Sequence, residues 1–171
     1  MLFRSLIPSA RLLVIYCWRS VLLSHKLISQ IMPILNYTTK IDSYKTISEI
    51  QQALSKAGVN KMIIDNENGL PISLTFQINW HDSKLYFCLP CNFLGVKNSM
   101  SKSSKVSRNL CTDEQALRVG WRIIKDWVLA QLAIVEAELA TLAEVFFPYA
   151  LTKSGNTLYK MLEKDSGLLL N

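Results

Sequence analysis

The sequence predicts an α+β fold: a small antiparallel sheet of about four strands, packed on one face by a short helix and a long C-terminal helix. Three features predict it. Ile72, Leu74, Phe76, Ile78 and Trp80 alternate with Ser73, Thr75, Gln77 and Asn79, the period of a strand with one packed and one wet face. Just upstream, Asn68-Gly69 suits the positive φ angles of a tight hairpin turn. After Thr112, Leu117, Trp121, Ile124, Val128, Leu132, Val135 and Leu139 recur at helical spacing in one unbroken stripe.

Along the chain, Asn36 to Ile41 (NYTTKI) is rich in threonine and tyrosine and predicts a short strand. Thr46 and Glu49 stand at capping-box spacing, so a helix is expected to start there. Its Ile47, Ile50, Leu54 and Ala57 share a face, and Gly58 stands where such a helix ends. Lys61 to Asp65 predicts a strand, Glu67-Asn68-Gly69 a turn, and the alternating segment a second strand as far as Trp80. His81 to Lys84 turns the chain again. Leu85 to Leu89 brings it back until Pro90, which has no amide proton for the ladder.

Residues 97–109 (KNSMSKSSKVSRN) hold four bases, five serines and no acid, which predicts a loop. Thr112 is placed to cap the long helix, with Gln115 at the capping-box position and Asp113 and Glu114 at the positive end of the helix dipole. Ile123, Trp127 and Ile134 widen its apolar side. Thr141 and Glu144 repeat the capping spacing, predicting a break near Ala140 and a short helix stopped by Pro148. Ser154-Gly155-Asn156 predicts a last turn before an amphipathic end.

Composition sets the class. With 171 residues, half of them hydrophobic and 19% charged, the chain has the size and apolar content of one folded domain rather than a disordered segment. Six glycines and five prolines exclude a collagen-like or linker composition. Four cysteines are too few for a disulfide scaffold, so reduced thiols and a cytoplasmic location are expected.

The formal charge of +6 is unevenly spread. Residues 1–31 carry Arg4, Arg11, Arg19 and Lys26 with no acid, which leaves +2 for the rest. This divides the chain into a basic, apolar leader (1–31) and a single α+β domain (32–171). The leader's longest apolar run, Leu12 to Trp18, is far short of the roughly 20 residues of a membrane span, and no secretory cleavage pattern follows it. Three readings fit it: a start upstream of the true one at Met32, a peripheral helix lying on a membrane surface, or an organellar targeting segment.

Cys88-Leu-Pro-Cys91 has the spacing of half a zinc site, which His81 and Cys111 would complete. Strand alternation sets the two cysteines on opposite faces, however, and free cysteines commonly serve as small buried hydrophobes. His81 is the one histidine outside the leader and falls in a turn, where an imidazole is solvated rather than oriented for catalysis. None of the glycines forms a phosphate-cradling loop pattern. No catalytic residue, cofactor or metal ligand is therefore assigned, and a non-enzymatic role is expected.

Several segments together resemble a family of small uncharacterised proteins of bacteria and phages. They are YTTK at Tyr37 to Lys40, Leu89-Pro90, EQALRVGWRIIKDWVLAQLA from Glu114 to Ala133, EVFFPY from Glu144 to Tyr149, and SGNTLY from Ser154 to Tyr159. The likeness runs from Met32 to about Leu162 and is most specific in the tryptophan-bearing helix. It implies a domain beginning near Met32 and carries over no catalytic residue.

Two functions are expected from different classes. The broad aromatic surface of Trp121, Trp127, Ile134, Phe146, Phe147 and Tyr149 exceeds what a small sheet covers, which points to a protein partner or a homodimer. The alternative is binding to an RNA or DNA backbone. The order helix, three strands, helix is that of a double-stranded-RNA-binding domain, with Lys102, Lys105 and Arg108 before the last helix and Arg118, Arg122 and Lys125 along it. The competing reading of that strip is a solvated face with Glu114–Arg118 and Arg122–Asp126 pairs.

Overall fold

The computed structural model describes residues 34–164, and the readings made for the leader lie outside them. The segment expected as a first strand is a turn. Asn36 adopts φ 63°, and Thr39 N–H donates to its carbonyl at 2.9 Å. The Tyr37 and Thr39 carbonyls accept from Gln115 Nε2, at 2.9 and 2.8 Å, instead of from a neighbouring strand. The sheet accordingly has three strands, one fewer than expected.

Helix α1 (Ser43–Lys56) begins earlier than its threonine suggested, because Asp42 is the cap and accepts from Tyr44 N–H at 2.8 Å. Thr46 is buried inside the first turns, its hydroxyl donating to the Asp42 carbonyl, and Glu49 is thereby released from capping. The helix ends as predicted. Gly58 takes φ +92°, and Val59 N–H reaches back to the Leu54 carbonyl at 3.1 Å.

Strands β1 (Lys61–Glu67), β2 (Leu70–Trp80) and β3 (Ser83–Pro90) form an antiparallel meander in that order. Asn68 and Gly69 both take positive φ in the first hairpin, as the sequence required. The register sets Ile64, Leu74 and Leu89 in one row and Met62, Phe76 and Phe87 in the next. These rows face the helices, with Phe76 and Phe87 stacked at 5.4 Å. The opposite face carries Ile63, Thr75 and Cys88 in one row and Lys61, Gln77 and Tyr86 in another.

Residues 97–102, expected as the start of a loop, instead belong to helix α2 (Phe93–Lys102), capped by Asn92, which accepts from Gly95 N–H at 3.0 Å. Its Met100 is fully buried beside Val106, Ala116 and Val119. Packing against the long helix thus overrides a serine- and lysine-rich composition. A 3-10 turn (Arg108–Leu110) leads to α3 (Asp113–Glu136), about 36 Å long, which packs on both α1 and α2.

Thr112 caps α3 as expected, accepting from Gln115 N–H at 3.2 Å. The break near Ala140 and the capping box of α4 (Leu142–Phe146) also appear, the box formed by Thr141 and Glu144. A second 3-10 turn (Phe147–Tyr149) holds Pro148. Ala150 and Leu151 then run beside β3, and after the Gly155 turn α5 (Leu158–Lys164) ends the described chain.

Candidate interaction surfaces

The six basic residues expected to contact phosphates separate into two groups. On α3, Arg118 pairs with Glu114 at 2.5 Å, one helical turn away, as the sequence anticipated. The anticipated Arg122–Asp126 pair does not form. Asp126 accepts from Asn36 Nδ2 at 2.8 Å, while Arg122 and Lys125 both donate to Glu49 Oε2, at 2.9 and 2.5 Å. The Lys125 hydrogen bond, with the two positive charges, holds the Glu49 carboxyl below its ordinary value. The strip therefore clamps α1 to α3, and its charges are met within the chain.

The other group lies around a hollow of about 690 Å³ between the end of α2 and the start of α3. Its lining among the described residues includes Ser101, Ser103, Ser104 and Ser107, together with Lys102 and Arg108, and no acid. Lys105 is exposed in the same turn. Among the described residues, neither Lys102 nor Arg108 has a carboxylate within ion-pair distance. The nearest acid along the chain, Asp113, is engaged by Lys97 at 2.8 Å.

The aromatic set is likewise divided. Trp121 and Phe146 are fully buried, which corrects the expectation that they face a partner. Trp121 spans the core and donates from Nε1 to the Pro71 carbonyl at 2.9 Å. Phe146 meets Phe76 and Trp127 edge-on, at 5.2 and 5.4 Å. The short helix folded back under the long one, and so covered the surplus apolar surface. Trp127 and Tyr149, 5.2 Å apart, are half-buried and border a small apolar hollow of about 190 Å³ with Leu89, Pro90, Ile123 and Ile124. Phe147 is exposed beside Tyr149, and Ile134 is half-buried on α3.

A surface that the sequence reading missed lies between α1 and the second half of α3. This groove, of about 720 Å³, is lined by Leu129, Leu132 and Val135 and by Ala53, Ala57 and Ala133. Leu129 is 42% exposed. Glu49, Lys56, Lys125 and Glu136 also line it, two of each sign. Leu132 and Val135 belonged to the recognised stripe. Ala57 belongs to the predicted apolar face of α1, but nothing local in the sequence pairs it or Ala53 with α3.

The cysteines do not converge. Cys91 is buried against α3, whereas Cys88 and Cys111 are half-buried elsewhere, and all three are free thiols. Among the described residues no three His, Cys, Asp or Glu side chains are grouped so as to hold a metal. His81 lies in the β2–β3 turn with its ring 4.9 Å from Trp80. No helix among the described residues is long and apolar enough to cross a membrane. Compared with known proteins, the chain matches no protein-family model, no curated protein and no solved structure. The resemblance to small bacterial and phage proteins therefore supplies no residue role.

Proposed function

We propose that the chain is a non-enzymatic accessory protein of the cytoplasm that acts by self-association, two copies meeting across the α1/α3 groove. The observation that carries this reading is the exposed Leu129 within an apolar groove whose charges balance. A two-fold contact sets a surface patch against itself. A rim of one sign would repel its copy, whereas Lys56 of one protomer can stand opposite Glu136 of the other. The long helix thus keeps the interaction role expected of it, through its leucine side rather than through Trp121 and Phe146. Free thiols at Cys88, Cys91 and Cys111 suit a reducing compartment.

Sedimentation velocity over a concentration series tests it. A dimer that dissociates on dilution is expected, and Leu129→Glu should be monomeric throughout, with the unfolding temperature that the wild type shows when diluted to monomer. A wild-type chain that stays monomeric at every concentration overturns the reading.

The alternative, binding of an RNA or DNA backbone, keeps one supporting observation: Lys102 and Arg108 have no acidic partner among the described residues. Arg118, Arg122 and Lys125 lend it little, since Glu114 and Glu49 already meet their charges.

A further inference from the structure

We infer that the hollow between α2 and α3 is a discrete binding site for a phosphate group, held by Lys102 and Arg108 and by the hydroxyls of the serines around them. The inference is independent of self-association. It deepens the nucleic-acid alternative, from which it takes one possible source of the phosphate, and it replaces a six-residue footprint with a single site.

The argument begins with charge. Of the bases on α2 and α3, Lys97, Arg118, Arg122 and Lys125 each have a carboxylate at 2.5 to 2.9 Å. Lys102 and Arg108 do not, and no acid among the described residues lines the hollow they share. An anion entering it meets two positive charges, with no negative charge to displace among the described residues. The C-terminal end of α2 opposes this with about half an elementary charge at most, which two full charges outweigh.

Shape and donor chemistry agree with the charge. The lining is concave, and about 690 Å³ accommodates a phosphate or a pair of linked phosphates with their water. Arginine presents a planar fork of N–H donors to two phosphate oxygens, and lysine adds a compact charge. Serine hydroxyls can donate to the remaining oxygens. Ser103 Oγ accepts from Lys105 N–H at 3.4 Å, which keeps the turn in shape and leaves the hydroxyl proton free. Ser107 Oγ donates its proton to Asn109 Oδ1, so the donors to phosphate are Ser101, Ser103 and Ser104. The hollow is also built on packed structure rather than on a free loop. Val106, which lines it, is buried together with Met100 in the cluster that joins α2 to α3.

Two sources of a phosphate fit this chemistry, a free phosphorylated compound and a nucleic-acid backbone. Inorganic pyrophosphate and a short uridine oligonucleotide represent them in titrations of the full chain followed by amide NMR. Saturable shifts confined to Ser101–Arg108 are expected, with a dissociation constant on the order of 0.1–1 mM. Lys102→Gln/Arg108→Gln should weaken binding at least about tenfold. Both residues are exposed, so the unfolding temperature should hold. The exposed pair Lys61→Gln/Lys84→Gln serves as the charge-matched control and should bind like the wild type.

Salt dependence separates one site from an extended footprint. Two contacts to single-stranded RNA predict roughly sevenfold weakening between ~50 and ~200 mM salt, whereas six contacts predict more than ~100-fold. Binding of pyrophosphate alone upholds the site and rejects the nucleic-acid reading. Tighter binding of the oligonucleotide upholds both. The inference is overturned if neither probe shifts the Ser101–Arg108 amides, if the Lys102/Arg108 variant binds unchanged, or if the shifts spread along Arg118, Arg122 and Lys125 with the steep salt dependence.

Discussion

Gly120 on α3 faces Cys91 so closely that a Cβ on the glycine would lie 2.8 Å from the cysteine Sγ. Both residues are buried, and the backbone of a long helix cannot yield locally. Gly120→Ala should therefore destabilise the protein by about 1–3 kcal/mol from overpacking, which exceeds the gain of up to about 1 kcal/mol from better helix propensity. Cys91→Ala removes the clashing sulfur, so the double variant should recover most of that loss. Urea unfolding of the four proteins as a double-mutant cycle reads the coupling directly. Additive costs would mean that the two side chains do not share this space.

Burial of Cys91 also governs the chemistry of its thiol. Burial pushes Cys91 up to about 12 from its ordinary value near 9. At pH 8 its thiolate fraction is then roughly one in ten thousand, so alkylation at Cys91 should wait for unfolding. Peptide mapping after iodoacetamide treatment at pH 8 checks this, with Cys88 and Cys111 modified first. Because the folded value is raised, the stability linked to this group is present in full below about pH 9. It is lost as pH climbs toward 12.

Helices α1 and α3 end in the same reciprocal pair of hydrogen bonds with different residues at the left-handed position. In α1 it is Gly58. In α3 it is Glu138 at φ 58°, with Leu139 N–H to the Ile134 carbonyl at 3.1 Å and Glu138 N–H to Val135 at 3.0 Å. Glu138→Gly relieves the steric cost of that φ and should stabilise the fold by about 0.5–1 kcal/mol, net of added freedom in the unfolded chain. Gly58→Ala, with open space around its Cβ but φ +92°, should cost about 1 kcal/mol. Thermal unfolding of the two variants should shift in opposite directions.

What the sequence made legible was local. The Asn68-Gly69 turn, the alternation of β2, the Gly58 stop and the Thr112 and Thr141 caps each depend on neighbours within a few residues. Asn36 to Ile41 went wrong because its carbonyl partners come from Gln115, on a distant helix. Helix α2 hid behind serines and lysines because its stability lies in Met100 and in the contacts of Phe93 and Val96 with α3. Glu49 looked like a capping residue until Asp42 took that place. The basic residues of the hollow were legible as types. Which of them lack carboxylate partners was not, since pairing with Glu49 is decided by how α1 lies against α3.

That pairing makes acid sensitivity predictable. Glu49 is held below its ordinary value near 4.5 by Lys125 first and then by Arg122. A lowered folded value means that its contribution is complete above about pH 4.5 and is lost as pH falls through the folded value. Glu49 is about a third exposed, so the contribution is at most about 1 kcal/mol. Glu49→Gln should be less stable than the wild type at pH 7, and the gap should shrink progressively as pH falls below the ordinary carboxylate value. Urea midpoints measured across that range check it, and a gap that persists at low pH would assign the loss to packing instead.

The two tryptophans of α3 should respond very differently to the same change. Trp121 is fully buried, and its Nε1 serves the Pro71 carbonyl at the edge of β2. Trp121→Phe removes a donor from that carbonyl and leaves space in a packed core, so a loss of about 2–4 kcal/mol is expected. Trp127 is half-buried and donates no hydrogen bond within the described residues; its ring touches Phe146 and Tyr149 at the border of an open hollow. There a phenylalanine keeps most of the contact, and Trp127→Phe should cost less than about 1.5 kcal/mol. Equal losses in chemical denaturation would contradict the division of α3 into a core side at Trp121 and a rim at Trp127.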